Sequence, residues 1–350
     1  MKKVIASTAA VVLLGLCTTV SADVFNLGAG YTDLETVTVG DPGNAGEMSG
    51  SAAGGHGPSR VCGAVNYTYS IGKYEVTAGQ YTSFLNAVAA TDTYALYNPS
   101  MATGCGIART EVQGSYRYSV AVDYANRPVN YVSFWDSCRF ANWLGNGQPA
   151  GLQDASTTER GAYTLDGYSG SDGHQIQRNE GWKWAVTSED EWYKAAYYKG
   201  HGASSGYWKY ATQSDVMPGR DILDVSGNNS NYYPNSGPFP IVPGYYTTVV
   251  GEFQNSVSPC GTFDQDGNIL EWTESVYIQG YGWRTFRGGS FQPYSIESLQ
   301  APNRFEDWSN AERNYYGFRV SSLVPEPSSI LALLCGIGGI GGMVLRKRVV

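Results

Sequence analysis

Residues 264–272 (DQDGNILEW) carry the residue types in this chain that are best suited to hold a metal ion. Carboxylate and carbonyl oxygens, with a glycine that permits a tight turn, are the ligands that Ca²⁺ takes in proteins. The alternative is a turn followed by a strand, with Trp272 in the core and the acidic side chains in solvent. The residue types favour a calcium site over this alternative.

Cysteine and histidine, by contrast, do not form a metal-binding pattern. His56, His174 and His201 are far apart, which argues against a histidine-rich zinc or iron centre. Four of the six cysteines lie outside the two chain ends. One or two disulfides are plausible among them in an oxidising compartment, and the pairing stays open. These four are Cys62, Cys105, Cys138 and Cys260.

The N-terminal residues 1–22 have the composition of a secretory signal peptide. Lys2 and Lys3 precede an apolar run, and small residues up to Ala22 favour cleavage before Asp23. The apolar run is shorter than the roughly 20 residues of a membrane-spanning helix, which argues against an uncleaved anchor. We therefore expect export across the inner membrane.

The C-terminal residues 324–350 contain a Pro-Glu-Pro motif, an apolar segment over 330–345 and a basic cluster, in that order. The apolar segment can lie in a bilayer while the basic cluster stays on the cytoplasmic side. The motif is Pro325, Glu326 and Pro327, and the cluster is Arg346, Lys347 and Arg348. This order resembles the PEP-CTERM sorting signal, which an exosortase cuts, releasing or re-anchoring the protein at the cell surface. The alternative is an ordinary transmembrane anchor.

The part between the two ends, residues 23–323, is acidic and can form one large domain or two small ones. Of 23 basic and 31 acidic residues, 5 and 1 lie in the ends, which leaves 18 and 30 and a formal net charge of −12. Such a charge argues against nucleic acid as a partner and suits a cation-binding extracellular protein. The 44 glycines and 27 tyrosines indicate short strands, many turns and aromatic packing.

Three strand-to-helix units must position the candidate residues. We expect a strand over residues 67–76, a second over 127–133 and a third just before residue 187. A flexible glycine-rich loop is expected over about 42–58, with the ordered core beginning at Val65. After the third helix, turn residues indicate loops and short strands, so the fold class is α+β. Each helix begins with a capping box: Thr77 with Gln80, Ser133 with Asp136, and Ser188 with Glu191 or Thr187 with Asp190.

Six motifs follow one another along the chain: residues 71–77 (IGKYEVT), 128–144, 187–196, 264–272, 286–291 (FRGGSF) and 317–319 (GFR). The series resembles the formylglycine-generating enzyme (sulfatase-modifying factor) family and covers about residues 36–320. The resemblance implies a variant of the C-type lectin fold, loop-rich, with a few capped helices, short antiparallel strands and bound calcium. It also implies an oxidase, because active members convert a sulfatase cysteine to formylglycine with oxygen and a copper held by two cysteines.

This chain lacks the two cysteines that bind copper in the family. In the family the two cysteines follow the Gly-Gly-Ser motif, where this chain has Pro293 and Ser298. Copper(I) needs soft thiolate ligands, and neither residue supplies one. We therefore expect no copper and assign no catalytic residues. An iron-dependent relative is also disfavoured, because the iron-binding helical domain has no counterpart here.

For calcium, the resemblance implies two sites. The first uses two carboxylate side chains and two backbone carbonyls, and the second uses an amide side chain and one carbonyl. The partner aspartate of the second site is not identifiable in residues 238–252. The first set is Asp264, Glu271 and the carbonyls of Gly267 and Ile269, and the second is Asn231 with the carbonyl of Tyr232.

Together these features predict a surface-sorted, non-catalytic, calcium-stabilised binding module directed towards exopolysaccharide or another surface protein. Two alternatives remain: a formylglycine-generating-type oxidase or a relative with changed chemistry, and a structural biofilm component without a specific ligand. Arg287, Arg304 and Arg319 are expected to be buried and to bond loop carbonyls rather than a substrate.

Overall fold

The computed structural model describes residues 25, 33–200, 205–234, 236–293 and 296–324. The predicted signal peptide with its cleavage position at Ala22 and Asp23, and the predicted tail from Pro325 onward, lie outside these ranges. The helices are α1 (Ala78–Val88), α2 (Met101–Gly104), α3 (Phe134–Gly145) and α4 (Glu189–Tyr197). The strands are β1 (Thr36–Val39), β2 (Glu47–Ser49), β3 (Arg60–Cys62), β4 (Tyr69–Gly72), β5 (Ile107–Thr110), β6 (Arg117–Val120), β7 (Trp184–Val186), β8 (Leu270–Val276), β9 (Trp283–Arg287), β10 (Phe305–Trp308), β11 (Tyr316–Phe318) and β12 (Val320–Leu323).

Two four-stranded sheets form the frame of the domain. The first has the order β1-β4-β12-β7, and each neighbouring pair is antiparallel. The second has the order β10-β9-β8-β11, in which β11 runs parallel to β8. The expectation of antiparallel strands is therefore wrong for this pair. A parallel neighbour forms because the long connection through β9 and β10 returns the chain in the same direction.

The ordered core begins earlier in the chain than Val65. Strand β1 pairs with β4, with Thr36 opposite Gly72, and both Phe25 and Leu34 are buried in the main hydrophobic core. The strand expected over residues 67–76 is shorter, as β4. Strands of four residues depend on partners that are distant in sequence, which is why the local pattern did not reveal β1.

Two other local expectations also need correction. Within the loop expected over residues 42–58, β2 pairs with β3, and a 3₁₀ helix spans Ser51–Ala53. Residues 127–133 form no strand, and Pro128 makes only an isolated bridge to Thr77. Proline has no N–H to donate to a neighbouring strand, so a regular ladder cannot extend through it.

The three predicted capping boxes are confirmed. The hydroxyls of Thr77, Ser133 and Ser188 accept the backbone N–H three residues ahead at 3.2, 3.2 and 3.1 Å. The side chain at that third position accepts the N–H of the capping residue in return. Thr187 is not the cap of α4, because its hydroxyl donates to the Arg319 carbonyl at 3.0 Å.

Ser133→Ala should lower the free energy of unfolding by about 1 kcal/mol, because it removes an N-cap acceptor. Ser100→Ala is the matched control, since Ser100 occupies the N-cap position of α2 but makes no side-chain cap bond. Urea denaturation of both variants measures the difference. Equal losses in the two variants would show that the cap bond at Ser133 contributes nothing.

The main core joins α1 and α3 to the second sheet through aromatic rings. Phe140 of α3 packs edge-on against Phe84 of α1, with centroids 5.4 Å apart, and against Phe318 of β11 at 5.3 Å. Trp272 of β8 is fully buried, and its indole N–H donates to the Val132 carbonyl at 3.0 Å. Trp272 thereby fixes the acidic segment that precedes β8 to the edge of the core.

In the part of the chain that the structure describes, no helix combines the length and apolarity needed to cross a membrane. The predicted membrane segment over residues 330–345 lies outside that part.

Candidate functional site

The acidic segment turns sharply before it enters β8. Asp264 and Asn268 have φ angles of 62° and 58°, and Gly267 has a φ of 104°. Asp and Asn tolerate the left-handed region better than most residues other than glycine. A Cβ atom on Gly267 would lie 2.3 Å from the backbone oxygen of Asn231, so glycine is required there.

The structure brings the two predicted calcium segments together. The Asn268 N–H donates to the Asn231 carbonyl at 2.6 Å, and the Asn231 amide donates to Oδ1 of Asn268 at 3.3 Å. The Asn231 amide also donates to the Tyr246 carbonyl at 2.9 Å. The side chain of Tyr232, whose carbonyl was the predicted ligand, points elsewhere, and its hydroxyl donates to the Pro218 carbonyl at 2.8 Å.

Asp264 lies at the edge of this junction and is half-buried. Its Oδ2 accepts the N–H of Gly251 at 2.6 Å. Desolvation raises the pKa of Asp264 to about 6, and the nearby Glu271 carboxylate adds to the rise, while the Gly251 bond opposes it. A cation next to Asp264 would favour its ionised form.

Glu271 is fully buried and serves as the counter-ion of Arg319. Nε and Nη2 of Arg319 donate to its two oxygens at 2.5 and 2.6 Å, and Nε1 of Trp192 donates to Oε2 at 2.8 Å. A carboxylate has about four acceptor positions, so three donors leave little room for a cation. The role of Glu271 as a calcium ligand stays a prediction.

Glu75 was not predicted as a site residue, although it lies in the first of the six motifs. Its Oε1 accepts the Asn268 amide at 3.2 Å, and its buried Oε2 has no hydrogen-bond partner among the described residues. Burial, together with Asp264 and Glu271, holds the pKa of Glu75 well above its usual range. The sequence motif marks the position of Glu75 along the chain, but it does not show which side chains surround Glu75 in the fold.

The residues at this junction fit calcium only in part. Oδ1 of Asn231 and Oε2 of Glu75 are buried oxygens without a partner among the described residues. Such oxygens are hard ligands of the kind that calcium takes. Within the described ranges, no group of three or more His, Cys, Asp or Glu residues is placed to hold a metal. Any calcium here would therefore rely on amide and backbone oxygens, including the carbonyls of Gly267 and Ile269.

Calcium is expected to raise the melting temperature, and a chelator should lower it, because an ion that binds only the folded state stabilises it by about 2.7 kcal/mol at 100 times its Kd. Asn231→Ala should abolish this calcium dependence. Asn255→Ala is the matched control, since the Asn255 amide also donates to a carbonyl, that of Val225, but from an exposed position. A melting temperature unaffected by chelator would contradict the calcium prediction.

A pocket of about 180 Å³ lies beside the Gly-Gly-Ser turn. Ser298 lines it, and a Cβ on Gly289 would lie 2.9 Å from the Ser298 hydroxyl. His56 lines its outer part, stacks on Phe305 with centroids 5.0 Å apart and bonds the Arg304 carbonyl through Nδ1 at 2.8 Å. No thiol is among the described lining residues, which are His56, Leu270, Phe286, Gly289, Ser298, Phe305, Glu306 and Tyr316.

The four cysteines in the described part lie elsewhere and are all free, so the expected disulfides are not formed. Cys62 and Cys260 belong to two separate clusters away from the main core, which holds Cys105 and Cys138. Burial raises the pKa of Cys105 to about 12 and that of Cys260 to about 11, which keeps both thiols protonated. Pro293 is exposed. The donor set after the Gly-Gly-Ser turn therefore does not fit copper.

The buried arginines are structural, as predicted. Arg287 donates to the carbonyls of Ala301 and Asn303 at 2.7 and 2.9 Å, and Arg319 donates to that of Gly72 at 2.9 Å. Arg304 donates to the Pro58 carbonyl at 2.6 Å. Each guanidinium therefore ties loops to the sheets.

Glu189 of α4 neutralises two of these arginines and also Arg60, and it was not predicted from the sequence. It is fully buried and contacts Arg287 and Arg304 at 2.7 Å and Arg60 at 3.0 Å. Burial alone would raise the pKa of Glu189, but the three guanidinium charges outweigh it and lower the pKa to about 2. The sequence does show an acidic first turn in α4. A carboxylate there was expected only to cap the N-terminus of the helix.

These features define a loop-rich α+β domain built around a Gly-Gly-Ser turn and buried Glu–Arg pairs. The chain matches the sulfatase-modifying factor enzyme 1-like domain over residues 43–322 and belongs to that family. This confirms the family resemblance drawn from the motifs. A comparison with curated proteins gave no match.

Solved structures share the fold at low sequence identity. CarF is 20% identical, with 83% of this chain and 99% of that chain covered and a TM-score of 0.51. Treponema denticola variable protein 1 is 17% identical, with 85% and 98% covered and a TM-score of 0.50. PvdO from Pseudomonas aeruginosa is 18% identical, with 83% and 95% covered and a TM-score of 0.47. For CarF and the Treponema denticola protein, the likeness at these identities concerns the fold alone.

Proposed function

We propose that this protein is an exported, surface-sorted and non-catalytic binding module. The observation that carries the proposal is the pocket beside the Gly-Gly-Ser turn, which presents the Ser298 hydroxyl and no thiol among its described lining residues. A hydroxyl is a hard and weakly acidic donor, unsuited to copper(I). The domain therefore keeps the shape of its family without the ligands of the family's oxidation chemistry.

Calcium is proposed to stabilise a C-type-lectin-like arrangement of loops. Asn231 supports this role, because its Oδ1 is buried without a partner while its amide holds the Tyr246 carbonyl. Asp264 and the carbonyls of Gly267 and Ile269, in the segment that bonds the Asn231 carbonyl through the Asn268 N–H, would supply further oxygen ligands. A calcium ion at this point would tie the loop around Tyr246 to the start of β8.

Export and sorting are proposed from the two chain ends. Residues 1–22 would direct export, and an exosortase-type enzyme would act near Pro325, Glu326 and Pro327 after the tail has held the chain in the membrane. The intact mass of the protein recovered from cells tests this step. The expected mass lacks both the first 22 residues and the C-terminal tail, and a mass that retains the tail would contradict sorting by cleavage.

The binding function is tested by two parallel experiments on the purified full-length chain. A glycan array and a pull-down from extracellular matrix material should give a reproducible ligand in one of the two. If neither experiment detects a ligand, the binding function is overturned and a structural surface component is favoured. Turnover of a sulfatase peptide would instead favour the oxidase.

A further inference from the structure

A second pocket, of about 260 Å³, lies on the face where α2, the segment before α3 and the Tyr246 loop meet. It differs from the pocket at Ser298 in the chemistry of its walls. None of its described lining residues carries a formal charge, and they combine amides, hydroxyls and aromatic rings. They are Thr103, Gly104, Tyr124, Asn130, Tyr131, Tyr246, Thr247, Phe291 and Asn314.

Asn130 lines this pocket and has an unused hydrogen-bond acceptor. The residue is only 2% exposed, and its amide donates to the carbonyls of Asn314 at 2.7 Å and Gly104 at 3.2 Å. Its Oδ1 is buried and has no partner among the described residues. An acceptor left without a hydrogen bond in a buried position is unfavourable, and a ligand hydroxyl would supply the missing bond.

The wall next to Asn130 is held in a strained conformation. Tyr131 has a φ of 57°, which a bulky residue adopts only when its surroundings impose it. Its N–H donates to the Arg313 carbonyl at 2.9 Å. A Cβ on Gly104 would lie 2.4 Å from the Tyr131 ring, so glycine at this position lets the ring pack against the backbone. The packing around Tyr131 therefore fixes the conformation of this wall of the pocket.

A row of aromatic rings leads from the pocket to the surface, formed by Phe291, Tyr246, Phe239 and Tyr233. Successive ring centroids are 5.4, 5.8 and 4.9 Å apart, and the rings of Phe291 and Tyr246 lie within 20° of parallel. Tyr246 is 59% exposed and Tyr233 is 37% exposed. Large aromatic rings left in solvent next to a pocket mark a binding surface.

We propose that this pocket and the aromatic row bind a neutral saccharide chain, an inference that rests on the proposed binding function and names its ligand class. Sugar rings present apolar C–H faces that pack on aromatic rings, and their hydroxyls donate to acceptors such as Oδ1 of Asn130. The described lining of the pocket offers no cation for an acidic sugar. Along the row, the guanidinium carbon of Arg220 lies 5.7 Å from the centroid of the Phe239 ring. The net charge of −12 between the chain ends also repels polyanions.

The test compares neutral and uronic-acid oligosaccharides on an array, followed by calorimetry with the neutral oligosaccharide that gives the strongest signal. Tyr246→Ala should weaken its binding at least tenfold, because the central ring of the row is lost, whereas Tyr246→Phe should retain it. Tyr281→Ala is the matched control, since Tyr281 is 52% exposed and stacks on Trp283 at 5.2 Å, outside the row. It should bind as the parent does.

Each other outcome overturns a distinct claim. Preference for uronic-acid oligomers, or equal neutral binding by Tyr246→Ala and the parent, refutes the proposed site. If the array shows no binding but the pull-down captures a protein, and Tyr246→Ala no longer captures it, the ligand is not a saccharide. The binding function then stands. If neither the array nor the pull-down detects a ligand, the binding function itself is refuted.

Discussion

Glu189→Gln is expected to lower the free energy of unfolding by about 3–5 kcal/mol, because it leaves three arginines around a buried site without their shared negative charge. Glu189 is fully buried, as are Arg287 and Arg304, and Arg60 is the one partner that solvent reaches. Glutamine keeps the shape of the side chain but turns an amide group towards the guanidinium groups. Urea denaturation of the variant and the parent measures the loss.

Glu180→Gln is the control, since it removes the same charge from an exposed position. It should change the free energy of unfolding by no more than about 0.5 kcal/mol. Similar losses in both variants would show that the effect is one of net charge, and an unaffected Glu189→Gln variant would contradict the proposed role of the arginine cluster.

The contribution of Glu189 should also depend on pH. Its folded pKa of about 2 lies below the ordinary value of 4.5, so its stabilisation is complete above about pH 4.5 and is lost as the pH falls towards 2. The difference in unfolding free energy between parent and Glu189→Gln should shrink over this interval. A difference that stays constant from pH 6 to pH 3 would contradict the lowered pKa.

Glu271→Gln is expected to cost a similar amount, about 3–5 kcal/mol, by leaving the fully buried Arg319 without its counter-ion. The variant also weakens the acceptor for the Trp192 indole. Denaturation in the presence of chelator isolates the ion pair, since no calcium then contributes. Any further loss that appears only with calcium added measures the predicted role of Glu271 as a ligand.

The same Glu180→Gln control applies to this experiment. If Glu271→Gln unfolds like the parent in chelator and differs only with calcium, Glu271 is a calcium ligand and the ion pair with Arg319 is unimportant. If the loss is the same with and without calcium, the stabilising role of Glu271 is that of a counter-ion alone.

Features determined by neighbouring residues could be predicted from the sequence. The three capping boxes depend on pairs three residues apart, and all three form. The order of six motifs identified the family. The absence of copper, expected from Pro293 and Ser298, stays a prediction. The burial of Arg287, Arg304 and Arg319 was also expected, because loop-rich folds have many carbonyls to satisfy.

Features that depend on distant residues could not be predicted in this way. Strand β1 forms only against β4, and the contact between Asn231 and Asn268 joins loops that no local pattern connects. The roles of Glu75 and Glu189 are likewise set by side chains far along the chain. The second pocket was missed for the same reason, since its residues come from segments between Thr103 and Asn314.

The central claim, that the domain has lost its family's oxidation chemistry, is tested most directly by one measurement on the purified chain. Copper(I) binding and the conversion of a cysteine-containing sulfatase peptide are followed together, with an active formylglycine-generating enzyme as the positive control. We expect no stoichiometric copper and no conversion, because the segment with Pro293 and Ser298 offers no thiolate. One copper per chain together with peptide turnover would contradict the claim.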